Sequence, residues 1–417
     1  MKTFIVAVVL LSLVAGTGDA VETYSVAQLL DRIGLTQGMA EAEAEAAAMA
    51  RKSDAAGGLP NLDIGYELMD ALDPEMLTHR LGIRQELPLG GKRRLLRQSA
   101  AAEAGVALGL VSERRNMLWL ELLSALNDYH YAESNAKARR GELDAMLSIA
   151  ESTKARYATG SANLSELYLV EIEIVKLEGM IRTMEAMSTV ARNQALDSVD
   201  LGFLDASLGH FFPRITRLPE ESEADALFAK ARLLYPVLNT AREELRQAQL
   251  ETRLAGAGLY PDLMLEFSYS YKPSTGLPGN FSLGFGLNLP AFSADARKAE
   301  AGMAARLAEA RAARLAGLED NLYRSIRMLL AEAGAFARLI ELYEKRIQPL
   351  RSDDLEYLSS AYMVGEASLG MALDSVRMNF TEVSGYLENR QSLVKTLLEL
   401  EYLTGETLVV FEDGRME

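Results

Sequence analysis

The sequence predicts a mainly helical protein with a β-barrel part: long antiparallel coiled-coil helices joined to four membrane-length strands per chain. Three observations predict it. Helical periodicity runs without proline far beyond the length of a globular helix, four short segments alternate apolar with polar residues, and both patterns occur twice in the same order.

The chain begins with an address. Lys2 supplies a positive n-region, Phe4–Ala15 is apolar but too short to cross a bilayer as a helix, and Gly18-Asp19-Ala20 offers the small residues a signal peptidase reads. Residues 1–20 are therefore expected to be a signal peptide cleaved after Ala20, the alternative being an uncleaved anchor.

The long helices come next. From Lys92 to about Arg156 apolar residues recur at three- and four-residue steps, as in Leu118, Leu122, Leu126 and Tyr129. At 1.5 Å per residue this run extends about 100 Å. Ser165–Leu196 follows after a break, and Ala294–Arg346 and Ser368–Leu403 repeat the pairing. Uncapped runs of this length pack lengthwise as coiled coils.

The strands lie between the helices, at Asn61–Met69, Arg80–Pro88, Asp262–Tyr271 and Phe281–Leu289. In the last, Phe281, Leu283, Phe285, Leu287 and Leu289 alternate with Ser282, Gly284, Gly286 and Asn288. Each is close to the 9–11 residues of a tilted transmembrane strand. The alternative is a small soluble sheet beside a helical bundle.

The two halves are a repeat. Leu59-Pro60-Asn61-Leu62 matches Tyr260-Pro261-Asp262-Leu263, Leu87-Pro88 matches Leu289-Pro290, and Tyr157-Ala158-Thr159-Gly160 matches Tyr362-Met363-Val364-Gly365, all about 200 residues apart. The predicted organisation is a first repeat at 21–199 (hairpin 61–88, tip turn 157–164) and a connecting segment at 200–222. A second repeat follows at 223–406 (hairpin 262–289, tip turn 362–368), then a tail at 407–417.

Composition excludes several classes. With 43 Lys and Arg against 59 Asp and Glu, the net charge of −16 argues against nucleic acid. The absence of cysteine rules out a disulfide scaffold, a thiolate metal site, a Cys nucleophile and lipidation through an N-terminal cysteine. His79, His130 and His210 are too few and scattered for a His-rich metal site. Gly90-Gly91-Lys92 is no phosphate-binding loop, because Glu86 stands where its first glycine belongs and Arg93 replaces Ser or Thr. The methionines scatter as packing filler, Asn379-Phe380-Thr381 is a chance sequon on a helix, and no catalytic constellation or cofactor site emerges.

Four strands cannot close a barrel, and an open sheet in lipid leaves its edge N–H and C=O groups unpaired. Two copies would give eight strands and a packed interior; three would give twelve and room for a lumen. The polar faces, with Arg80, Arg84, Glu86, Ser282 and Asn288, suit a wet interior.

The chain resembles the TolC-like outer-membrane efflux proteins over essentially all of its mature sequence. The resemblance is carried by the duplicated helix–hairpin–helix plan and by Gln85-Glu86-Leu87-Pro88-Leu89-Gly90-Gly91-Lys92-Arg93 entering a long helix. The paired turns at Tyr157–Gly160 and Tyr362–Gly365, the latter followed by Leu373-Asp374-Ser375, add to it. It implies a homotrimer, a twelve-stranded barrel in the outer-membrane lipid and an α-helical tunnel through the periplasm. It further implies docking to a periplasmic adaptor and an inner-membrane pump of the resistance-nodulation-division type. The Gly-Gly-Lys-Arg variant is most similar to the heavy-metal-efflux branch. Alternatives are a type I protein-secretion conduit and a non-conducting periplasmic scaffold.

Two candidate sites follow. Tyr157, Gly160, Tyr362 and Gly365 form plain helical-hairpin turns on the residues alone; the resemblance makes them adaptor-docking tips. Asp374, with Glu166 from the first repeat, is a solvated helix charge on the residues alone. The resemblance makes it a periplasmic gate, a single acidic ring because Met371 stands one turn before it.

Overall fold

The computed structural model describes residues 22–69, 72, 77–202, 206–289 and 294–414. The predicted signal at 1–20, Pro290 and residues 415–417 lie outside the described residues.

Sheet-forming alternation produces one antiparallel sheet of four strands: β2 (Asp63–Met69), β3 (Thr78–Leu87), β6 (Asp262–Tyr271) and β7 (Asn280–Asn288), in the order β2-β3-β6-β7. The two hairpins join through β3 and β6, one from each half. At the equator of the helices lie two small sheets that the sequence did not announce. There β1 (Glu22–Tyr24) pairs in parallel with β4 (Ala206–Leu208), and β5 (Phe211–Ile215) pairs with β8 (Val409–Asp413). Strands of three to five residues give too few alternations to be read by period.

The helices are α1 (Val26–Arg32), α2 (Gln37–Ala55), α3 (Lys92–Ala158), α4 (Leu164–Asp197), α5 (Ala224–Leu234), α6 (Pro236–Ala257), α7 (Ala294–Leu342), α8 (Gln348–Val364) and α9 (Leu369–Thr404). The third long helix was expected to end at Arg346. Instead it continues past Pro349 to Val364 through a π-helical turn at Tyr343–Ile347. Proline lacks an N–H and its ring clashes with the carbonyl four residues back, and the wider turn relieves both.

Next to the sheet the helices pack in the order α2, α3, α6, α7; beyond the equator the order is α4, α3, α9, then lower α7 and α8. The main core sits at the equator, where Leu122, Leu126, Ile326, Leu330, Leu397 and Leu398 are fully enclosed. A second core holds the far end together: Met146 and Ile149 of α3, Val170 and Leu177 of α4, Tyr362 of α8, and Leu373 and Val376 of α9. At 1.5 Å per residue, the 67 residues of α3 place that end about 100 Å from the sheet.

Candidate functional site

The register sorts the sheet into two chemically distinct faces. One cross-strand row is Ile64, Ile83, Phe267 and Leu283, and the next on that face is Tyr66, Leu81, Tyr269 and Phe281. The adjoining rows, on the other face, are Asp63, Arg84, Glu266, Gly284 and then Gly65, Gly82, Ser268, Ser282. Because successive side chains point to opposite faces, a slip of one residue at any pairing would mix the two sets. None occurs.

The apolar face is open. Phe281 and Phe285 are each 70% exposed and Leu283 is 63% exposed. The polar face is cross-linked instead: Arg84 reaches Glu266 at 3.4 Å, Arg80 reaches Glu67 at 3.9 Å and donates from Nε to Ser268 Oγ at 3.3 Å, and the Ser268 and Ser282 hydroxyls lie 2.9 Å apart. Glu86 and Asn288 also belong to this face, opposite Met264 and Asp262. All five strand residues singled out for a wet interior therefore share one side of the sheet. Among the described residues, β2 pairs only with β3 and β7 only with β6, so both outer strands keep a free edge there.

The Gly-Gly-Lys-Arg segment forms the joint between sheet and helix. Gly90 and Gly91 have φ of 67° and 75°, and a Cβ on Gly90 would come within 2.8 Å of the Tyr260 ring. This double left-handed bend needs glycine. It delivers Lys92 to Asp262, with Nζ 2.7 Å from Oδ1 in a largely buried pair, while the Leu89 N–H donates to the same carboxylate at 3.1 Å. One half's helix start is thereby pinned to the other half's strand start.

At the far end, Gly160 (φ 77°) and Gly365 (φ 87°) turn the chain left-handed, and Asn163 and Ser368 cap the returning helices by accepting from the N–H groups of Glu166 and Met371 at 3.0 and 3.3 Å. The two matched tyrosines are not equivalent. Tyr157 is 44% exposed, whereas Tyr362 is 1% exposed. The Tyr362 hydroxyl meets Thr153 Oγ1 at 2.6 Å, and Arg156 lies over its ring at 4.9 Å and donates to its carbonyl at 2.8 Å. Tyr362 offers no side chain to a partner. It ties the two tips together, correcting the symmetric expectation.

Asp374 is solvent-facing, its side chain 71% exposed, but it is not a bare charge: Arg377 one turn later reaches it at 3.3 Å. Arg377 also grips both oxygens of Glu173 of α4, at 2.8 and 3.3 Å, and Lys176 shares the nearer one, Oε1, at 2.8 Å. Burial pushes Glu173 upward, yet its bonds to Lys176 and Arg377 outweigh this and hold the carboxyl below its ordinary range. Glu142 of α3 stands next in this network; burial raises it above the ordinary range despite its bond to Arg139 at 2.6 Å. Glu166 bonds Asn163 in the cap of α4, so Glu166 and Asp374 each have a partner of their own. Sequence reasoning missed Arg377 and Glu173, although Arg377 stands at the three-residue spacing from Asp374 where helix side chains meet.

This two-faced sheet on long paired helices matches solved structures over nearly the whole chain. The outer-membrane protein VceC of Vibrio cholerae aligns at 17% identity with a TM-score of 0.75, covering 90% of this chain and 95% of that one. CusC, described in terms of transmembrane channel formation, aligns at 15% identity and TM-score 0.76 over 94% and 95%. The open-state MtrE outer-membrane channel of Neisseria gonorrhoeae aligns at 17% identity and TM-score 0.73 over 90% and 88%. The chain has the TolC-like fold. No family model matches the sequence, and no curated protein matches it. In this TolC-like chain no described helix is long and apolar enough to cross a membrane. The apolar face of the sheet is the surface whose chemistry suits lipid.

Proposed function

We propose that three copies of this chain form an outer-membrane duct, closing a twelve-stranded barrel whose polar face lines the lumen, with the long helices continuing the passage through the periplasm. The observation that carries this reading is the sheet: a continuous exposed apolar face, a cross-linked polar face and two free edges. In lipid each unpaired edge group costs several kcal/mol, and pairing β7 of one copy with β2 of the next removes both edges at once. Three copies rather than two leave space inside for Arg80, Arg84 and Glu86 to stay wet. A soluble scaffold has no use for such an apolar face.

The passage is passive. Efflux of small molecules or metal ions is driven by an inner-membrane pump, of the resistance-nodulation-division type, through a periplasmic adaptor that meets the turns at Gly160 and Gly365. The solved structures named above, described as outer-membrane proteins and channels, support the location. Asp374 sits close to the far end of the passage, as a ring of three carboxylates each partly offset by Arg377. The test is conduction: purified protein in a planar bilayer gives stepwise ionic current, and a strain lacking the gene retains the pump's substrate. Absence of current from correctly inserted protein, together with unchanged retention, would overturn the reading.

A further inference from the structure

One residue breaks the chemistry of the apolar face. The register puts His79 on that face, in a row with Leu68 and Tyr271 and next along β3 to the row of Leu81. Its ring is held on one side: the Tyr66 hydroxyl lies 2.5 Å from Nδ1, and the two ring centroids are 6.0 Å apart. The Nε2 atom, on the opposite side of the imidazole, has no partner among the described residues. A ring N–H turned toward hydrocarbon without a partner is costly. The position therefore calls for a polar group from outside the chain.

The depth of His79 decides what that group is. The helices α2, α3, α6 and α7 all join the sheet at one end, and His79 lies close to the other, where β2 turns into β3 and β6 into β7. In the barrel proposed above, on which this inference rests, that end faces the outside of the cell. Leu87 and His79 are eight residues apart on β3, about 27 Å at 3.4 Å per residue and about 21 Å of depth at a tilt near 40°. The apolar band of such a barrel is about 25 Å tall. With Leu87 at the inner margin, His79 stands at the outer one, level with the lipid headgroups. The two margins differ in chemistry. The inner row is Leu87, Leu263 and Leu287, whereas the outer rows bring Tyr66, Tyr269 and Tyr271 around His79. Hydroxyls and ring faces suit a sugar, and an imidazole N–H suits a phosphate oxygen.

We propose that His79 binds a phosphate of a phosphorylated glycolipid in the outer leaflet, with Tyr66 as its positioning residue. The Tyr66 phenol donates to Nδ1, which leaves the ring proton on Nε2, and Nε2 donates that hydrogen bond to the phosphate. A bond from a neutral donor to an ionised acceptor belongs to the stronger class. Tyr271, paired with His79 on the neighbouring strand and itself exposed, offers its hydroxyl and ring face to the sugar. A phospholipid brings the phosphate without a sugar and leaves the tyrosine surface unused. The contact ties the outer rim of each copy to the lipid of one leaflet and so fixes the height of the barrel in the membrane.

The test is native mass spectrometry of the full-length protein, extracted in detergent and given either diphosphoryl lipid A or phosphatidylglycerol. The expected result is that the wild type retains lipid A in clear preference to phosphatidylglycerol. His79→Phe, which suits the apolar face and keeps the barrel able to form, should lower retained lipid A about tenfold. Tyr66→Phe should lower it severalfold while phosphatidylglycerol adducts stay at the wild-type level, a selectivity that a merely structural role would not produce. Leu287→Phe, at the inner margin of the same face, should change neither lipid. Lipid A retained undiminished by His79→Phe overturns the proposal, and so does equal retention of the two lipids by the wild type. Protein that enters vesicles yet shows either result leaves the barrel standing and removes the contact alone. Protein that never enters vesicles overturns both.

Discussion

Placing an arginine at Leu283 separates the lipid face from the lumen face. Leu283 is the fourth of nine residues in β7, opposite Phe267, and a strand of that length spans about 30 Å. In the proposed barrel it lies close to mid-membrane depth, and it stands on the exposed apolar face. An arginine facing lipid there costs about 2–4 kcal/mol per copy, or about 6–12 kcal/mol for three. At 1.4 kcal/mol per factor of ten, the smaller total already lowers the assembled fraction by about four orders of magnitude. The charge-matched control is Gly286→Arg on the polar face, where a Cβ makes ordinary contact with Met264 at 3.6 Å and the guanidinium reaches water. The assay is the fraction of protein folded into lipid vesicles as a heat-resistant oligomer. Leu283→Arg should abolish it and Gly286→Arg should leave most of it. Equal tolerance, or equal loss, at the two positions would refute the assignment of faces.

Four further outcomes are expected. Lys92→Met should lower stability by about 2–3 kcal/mol, because it strands the Asp262 carboxylate in a largely buried joint, and Lys92→Met with Asp262→Leu should recover part of it in denaturant titration. Gly160→Val and Gly365→Val each force a left-handed valine at about 1–2 kcal/mol; efflux should fall while the oligomer level stays normal, and preserved efflux in both would remove the docking role. Asp374→Asn should weaken cation preference in bilayer recordings and Arg377→Gln should strengthen it, both effects shrinking at 1 M salt where screening acts over about 3 Å; unchanged selectivity in both variants would make Asp374 an ordinary surface charge. Glu173 is held below its ordinary value of 4.5, so its contribution is present at neutral pH and is lost only as pH falls through that depressed value. Hydrogen exchange in α4 and α9 near Glu173 should therefore quicken in acid beyond what Glu173→Gln shows, and identical acid profiles would contradict the tie.

How much of this was legible depended on pattern length. The four sheet strands carry seven to ten residues of alternation each, enough to fix both their positions and which side chains share a face. The equatorial strands were too short to read, and β1 pairs with β4 across most of a repeat, a contact no local signal encodes. The third long helix was expected to end at Arg346, and the π-helical turn that carries it past Pro349 was not legible, since proline chemistry alone allows either an end or a bulge. The Gly90-Gly91-Lys92 segment was visible as a motif without a reason; the reason, Asp262 and Tyr260, lies in the other half. At the tips the matched sequences suggested matched tyrosines. Thr153 and Arg156 draw Tyr362 inward while Tyr157 stays outside, a difference set by packing between halves.

The central claim is that the chain becomes a duct only as a ring of three. The mass of the full-length protein, extracted in detergent and freed of bound detergent in the analysis, tests this most directly. The account predicts three times the mass of the mature chain, about 130 kDa with the expected signal of roughly 20 residues removed from each copy of 45.6 kDa. A stable monomer or dimer under conditions that preserve strand content would contradict it.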